Sequence, residues 1–173
     1  MLRTTATQIA GLALCLLSTS ACATEHLQFR NDHRLSFEMP GERARVQAPV
    51  TIRWSMKDFS AVGLDGSTNK DRGVYAVFVD QAPMPAGQNL RWVAKGDPAC
   101  QRDAGCPDPA YLADRGVRVT TETALTLDVL PRATVGVGDE QHYVNVVLLD
   151  GTGARIGESA WYLPFTSSRR SSS

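Results

Sequence analysis

Histidine and cysteine are scarce in this chain, at three and four of 173 residues. His26, His33 and His142 are scattered, and no C-x-x-C or close His pair accompanies the cysteines, so a soft-ligand metal site is not expected. No G-x-S-x-G elbow occurs and no Ser/His/Asp set stands out, so the chain does not read as an enzyme and no cofactor is expected. Neither sign of charge is in excess, with 18 basic and 18 acidic side chains. The one basic cluster, Arg169-Arg170, lies in the polar ending TSSRRSSS, which leaves nucleic acid without the basic patch it would need. Glycines 151, 153 and 157 are spaced one residue too far for a dinucleotide fingerprint, and the segment after them reads as a strand. Alternating β and α units are missing too, which argues against a parallel α/β sheet.

What is present begins with a leader. Arg3 makes a short basic start, an apolar stretch runs from Ile9 to Leu17, and the small residues Ser18 to Ala21 follow. The stretch is about half of the roughly 20 residues needed to span a bilayer, and nothing later approaches that length. Two cuts fit. Ala21-Cys22-Ala23 suits removal before Thr24. Thr19-Ser20-Ala21-Cys22 resembles the bacterial lipobox, with Thr19 standing where that family usually has Leu.

The cysteine count bears on this choice. Cys15 leaves with the leader in either case, and Cys100 and Cys106 are close enough in sequence to pair, which leaves Cys22 odd in an oxidising compartment. A lipid on Cys22 caps it, and a cut after Ala23 discards it. Lipidation is the leading reading. The resemblance implies several acyl chains, palmitate among them, and hence firm attachment to the cell membrane or outer membrane, where a single chain would bind only marginally. Plain release into the periplasm or medium is the alternative.

Period-two patterns run through the rest. In PVTIRWSMK, Val50, Ile52, Trp54 and Met56 alternate with Thr51, Arg53, Ser55 and Lys57. TALTLDVL sets Leu125, Leu127 and Val129 on one face, ESAWYLPF sets Trp161, Leu163 and Phe165, and LSFEMP sets Leu35, Phe37 and Met39. These faces are expected to be buried. VYAVFVD (74–80) and YVNVVLLD (143–150) are nearly apolar on both faces, as central strands would be, while NLRWVA (89–94) and VRVTTE (117–122) read as shorter edge strands. A tight hairpin is expected at Asp150-Gly151-Thr152-Gly153. A short helix fits 108–115, with Asp108 as cap, Pro109 at its first position and Gly116 as terminator.

About seven to eight short strands between Gly/Pro/Asn/Asp loops point to an all-β antiparallel sandwich. The arrangement resembles immunoglobulin-like or fibronectin III-like domains of bacterial surface proteins, without the Cys…Trp…Cys pattern of antibody domains. The expected organisation is an export signal over 1–21, a tether over 22–26, the sandwich over 27–166 and a disordered tail over 167–173.

In an exported chain CQRDAGC reads as a Cys100–Cys106 disulfide. The stiff loop QAPMPAGQNLRW offers Met84, Pro85 and Gln88 as a candidate recognition edge, provided that Met84 does not fold back into the core. In DGSTNKD, Asp65, Asn69 and Asp71 gather oxygens without the EF-hand order, so an ordinary loop is expected. The sequence thus leads to a non-enzymatic envelope lipoprotein, held to the membrane by its lipid, whose sandwich binds or positions an envelope protein or glycan. The alternative is an unanchored secreted or periplasmic domain for a small ligand or metal.

Overall fold

The computed structural model describes residues 32–130 and 139–168. In chain order the strands are β1 (Leu35–Met39), β2 (Arg45–Val46), β3 (Val50–Met56), β4 (Ser60–Ala61), β5 (Arg72–Val79), β6 (Val117–Thr120), β7 (Ala124–Leu127), β8 (Glu140–Leu149) and β9 (Trp161–Ser167). A 3-10 helix (Leu90–Ala94) and two short α-helices, α1 (Pro98–Arg102) and α2 (Pro109–Asp114), fall between β5 and β6. One sheet has the order β1-β3-β7, and the other β2-β9-β8-β5-β4, with β6 also paired to β5. The long pairings are antiparallel, and only the two-residue strands β2 and β4 pair in parallel. The fold is an all-β sandwich.

Strand alternation explains the layers. Ile52 and Trp54 from β3, Tyr75 and Val77 from β5, and Val144, Val146, Leu163 and Phe165 from β8 and β9 form the core between the sheets. The opposite faces of β5 and β8 are apolar as well: Val74, Ala76, Phe78, Val147 and Leu149 pack with Met84, Leu112 and Val117 in a second core. The helical segment covers that face, which is why VYAVFVD and YVNVVLLD show no polar side. Each is a central strand buried from both directions.

α2 starts and stops as its sequence predicts. Asp108 accepts a hydrogen bond from the Tyr111 backbone N–H at 2.7 Å, Pro109 is the first helical residue, and Gly116 takes a positive φ of 66° just beyond the end. α1 repeats the Asp-Pro start, with Asp97 accepting from the N–H groups of Ala99 and Cys100 at 3.0 and 3.1 Å.

Four expectations are corrected. NLRWVA is the 3-10 helix and not an edge strand: the Asn89 side chain caps Arg91 N, and Leu90, Trp92 and Val93 pack on the second core. Its apolar residues fit one helical turn as well as a strand. Met39 is 43% exposed, because a bulge between Phe37 and Met39 sets it opposite the outward Arg53. Val129 is 79% exposed, because β7 ends at Leu127 and the chain bends, turning Leu130 inward instead. Phe37, Met56 and Leu125 are only partly buried against the core.

The turn at Asp150–Gly153 lies where it was expected, with Gly153 N–H bonded to Asp150 O at 2.9 Å. The returning arm is interrupted, however. Arg155 bridges Leu149, Ile156 N–H bonds to Leu148 O, and regular pairing resumes only at Trp161 opposite Val146. Residues between them bulge out of the ladder.

Candidate functional site

The register of the larger sheet brings three separated residues to one end of the sandwich. β5 runs antiparallel to β8 with Val79 opposite Val144, so Asp80, the next residue, arrives beside Tyr143. β8 pairs with β9 so that His142 faces Phe165 and Glu140 faces Ser167. By alternation, His142, Phe165 and Ser167 share the inner face, at the mouth of the sandwich.

Their side chains form a continuous relay. The Asp80 Oδ2–His142 Nδ1 distance is 2.7 Å, and the His142 Nε2–Ser167 Oγ distance is 3.0 Å. A carboxylate oxygen only accepts, so Nδ1 is the donor in the bond to Asp80, and in the neutral imidazole Nε2 is then the acceptor for the serine hydroxyl. Asp80 is held by two backbone bonds as well: its Oδ1 accepts from Tyr143 N at 2.9 Å, and its own N–H donates to Tyr143 O at 2.9 Å. It adopts a positive φ of 54°, a conformation that Asp tolerates better than most residues. The His142 side chain is only 2% exposed and lies stacked on Phe165, with ring centroids 5.6 Å apart. Glu140 Oε2 stands 3.9 Å from Nε2. Ser167 remains partly exposed.

Beside this relay, on the outer face, lies an aromatic strip. Tyr143 and Tyr162 are 5.5 Å apart, centroid to centroid, and Tyr162 is 57% exposed. Pro164, opposite Tyr143, is partly exposed. The helical segment that buries the outer faces of β5 and β8 leaves this part of β8 and β9 open.

The opposite end of β9, six residues or roughly 20 Å away, carries the N-terminal clasp. The Asp32 carbonyl accepts from Trp161 Nε1 at 2.7 Å, while its carboxylate accepts from Ser159 Oγ at 2.8 Å and pairs with Arg34 at 2.8 Å. The Arg34 guanidinium and then the Arg34 N–H and Ser159 hydroxyl lower the Asp32 pKa from its ordinary 3.8 to about 2, against the opposing effect of burial. A folded-state value below the unfolded one stabilises the fold above the unfolded value, and the contribution fades as pH falls through the folded value. The expected result is that the wild-type chain exceeds Asp32→Asn in urea midpoint at neutral pH, and that the gap closes as pH drops from about 4 to about 2. A gap unchanged across that window would show that charge on Asp32 contributes nothing.

The sequence-predicted positions are distributed as follows. Cys22 and His26 lie outside the described residues, as does the ending from residue 169. Cys100 and Cys106 are joined as a disulfide, with Cα atoms 5.2 Å apart, closing the loop from α1 toward α2. Met84 is fully buried in the second core, which corrects its place on a recognition edge; Pro85 and Gln88 are exposed. Arg155 pins the same loop, donating from its side chain to Met84 O and from its backbone to Gln88 O. Asp65 and Asn69 spend oxygens on their own loop and on Arg72: Asp65 accepts from Ser67 N and pairs with Arg72 at 2.7 Å, and Asn69 accepts from Asp71 N. His33 is exposed near the Asp32 clasp, at the end of the molecule away from His142.

The relay escaped the sequence reading because its members are 62 and 25 residues apart. The one available signal was a polar residue closing each apolar strand, Asp80 after VYAVFV and His142 before YVNVVLL.

No protein-family model, curated protein or solved structure matches the chain.

Proposed function

We propose that this chain is an exported, lipid-anchored envelope module whose β-sandwich binds another envelope component at its outer face. The observation that carries the binding role is the open aromatic strip of Tyr143 and Tyr162, left uncovered where the helical layer stops. Paired, half-exposed aromatic rings supply large contact area at low entropic cost. The lipobox-like Thr19-Ser20-Ala21-Cys22 supports the anchor. The strand orders β1-β3-β7 and β9-β8-β5 agree with the A-B-E and G-F-C sheets of immunoglobulin-like domains. The proposed role is binding, with no turnover assigned to it. Among the described residues no helix is long and apolar enough to cross a membrane.

The test is detergent-phase partition of the full chain expressed in a bacterium, with mass spectrometry of its mature N-terminus. The wild type is expected in the detergent phase with an acylated Cys22, and Cys22→Ser in the aqueous phase. An unmodified chain beginning at Thr24 overturns the anchor. Tyr162→Ala then tests the strip: retention of envelope material by the wild-type domain that the variant keeps in full overturns the binding face.

A further inference from the structure

We infer that Ser167 is an activated nucleophile, which accepts an acyl group from an activated carboxylic ester with His142 as its base. This goes beyond the binding role and stands independently of the anchor. A serine hydroxyl is a poor nucleophile until a neighbouring base withdraws its proton, and the base in turn needs a partner that fixes its tautomer and stabilises its charge. The structure supplies each part in order. Ser167 Oγ is 3.0 Å from His142 Nε2, and Asp80 Oδ2 is 2.7 Å from His142 Nδ1. Both distances lie within the reach required of a nucleophile and base and of a base and its orienting group.

Three further features separate this set from a chance surface cluster. The imidazole is almost wholly buried and lies against Phe165, so its orientation is fixed. Asp80 is anchored to Tyr143 through both its side chain and its backbone N–H, which aims Oδ2 at Nδ1. Ser167 and Asp80 are both partly exposed, so the two ends of the set border solvent while the imidazole between them does not.

The step balances without an oxidant, a metal or a second substrate. Ser167 Oγ attacks the ester carbonyl carbon while its proton passes to His142 Nε2. The Oγ–C bond forms, the bond to the leaving alcohol's oxygen breaks, and that alcohol departs with the proton from Nε2. The products are an acyl-serine and a free alcohol, and Asp80 stays ionised throughout.

The alternative is that the three side chains merely pin the ends of β5, β8 and β9 together. A purely structural pin would leave the hydroxyl with ordinary reactivity, so the experiment reads reactivity. The full chain is treated with a fluorophosphonate, which a serine displaces at phosphorus with loss of fluoride, and adducts are followed by intact mass and peptide mapping. One adduct per chain on Ser167 is expected. It should be absent from Ser167→Ala, which is expected to melt cooperatively as a folded domain although His142 Nε2 loses a partner. Asp80→Asn should label about 10²–10⁴-fold more slowly. If that variant does not fold, wild type in urea takes its place, because unfolding separates the three residues and should abolish labelling. No adduct on the folded wild type overturns the proposal, as does labelling that survives Ser167→Ala or proceeds equally fast in urea.

Discussion

Trp54→Ala is expected to lower the free energy of unfolding by about 3–5 kcal/mol, and Arg53→Ala by almost nothing. The two residues are neighbours on β3, and their contrast follows from the pleat. Trp54 is 1% exposed, while Arg53 points to solvent. The indole lies between the sheets, edge-on to Tyr75 of β5, with centroids 5.4 Å apart and planes at 80°. Removing it therefore opens a cavity at the aromatic contact that links β3 to β5 of the larger sheet. Against a total of about 5–15 kcal/mol for a small domain, such a loss leaves little margin. A second variant refines the expectation. Trp54 Nε1 is buried without a hydrogen-bond partner among the described residues, so Trp54→Phe sheds an uncompensated polar group along with some volume. It should cost clearly less than Trp54→Ala. Urea denaturation of the three variants measures this. Sensitivity at Arg53 with tolerance at Trp54 would place the strand one residue out of register and reverse every inside and outside assignment on it.

Gly73→Ala is expected to be nearly as damaging, by about 3 kcal/mol or more, because overpacking a site bounded by backbone costs at least that of an overfilled core. A Cβ added at Gly73 would lie 1.9 Å from Leu149 O and 2.9 Å from both Leu149 C and Asp150 Cα. None of these is the end of a flexible side chain. Gly73 O also accepts from the N–H groups of Val62 and Gly63, so β5 is held from its other edge and cannot withdraw. Relief would require parting β5 from β8, the two strands common to both cores. Gly41→Ala is the control, since a Cβ there meets nothing within 4 Å and the residue is exposed. A matched pair of denaturation curves decides the matter: equal midpoints for the two variants would mean that the β5–β8 approach is looser than the structure has it.

The strand periods were legible because alternation is a property of neighbouring residues. Val50, Ile52 and Trp54 are buried and Arg53 is exposed as the pattern on β3 requires. The doubly apolar runs at 74–80 and 143–150 correctly marked the central strands, although only the folded chain shows that a helical segment supplies their second cover. Asp108-Pro109 and Gly116 marked α2 through local backbone chemistry. The same Asp-Pro signal at 97–98 opens α1.

What the sequence by itself determined are the features encoded within a few residues: the strand faces, the turn at Asp150–Gly153, the α2 caps, and the spacing that lets Cys100 and Cys106 pair. What only the tertiary structure decided depends on partners far along the chain. Met84 is plug and not edge because a core lies beneath its loop. Met39 turns outward because of a bulge against β3, and Val129 because β7 stops two residues earlier. Above all, Asp80, His142 and Ser167 meet only through the register of β5 on β8 and of β8 on β9. Alternation tells which way each side chain points, but register is set by burial across strands, and no window of sequence contains both sides of that pairing.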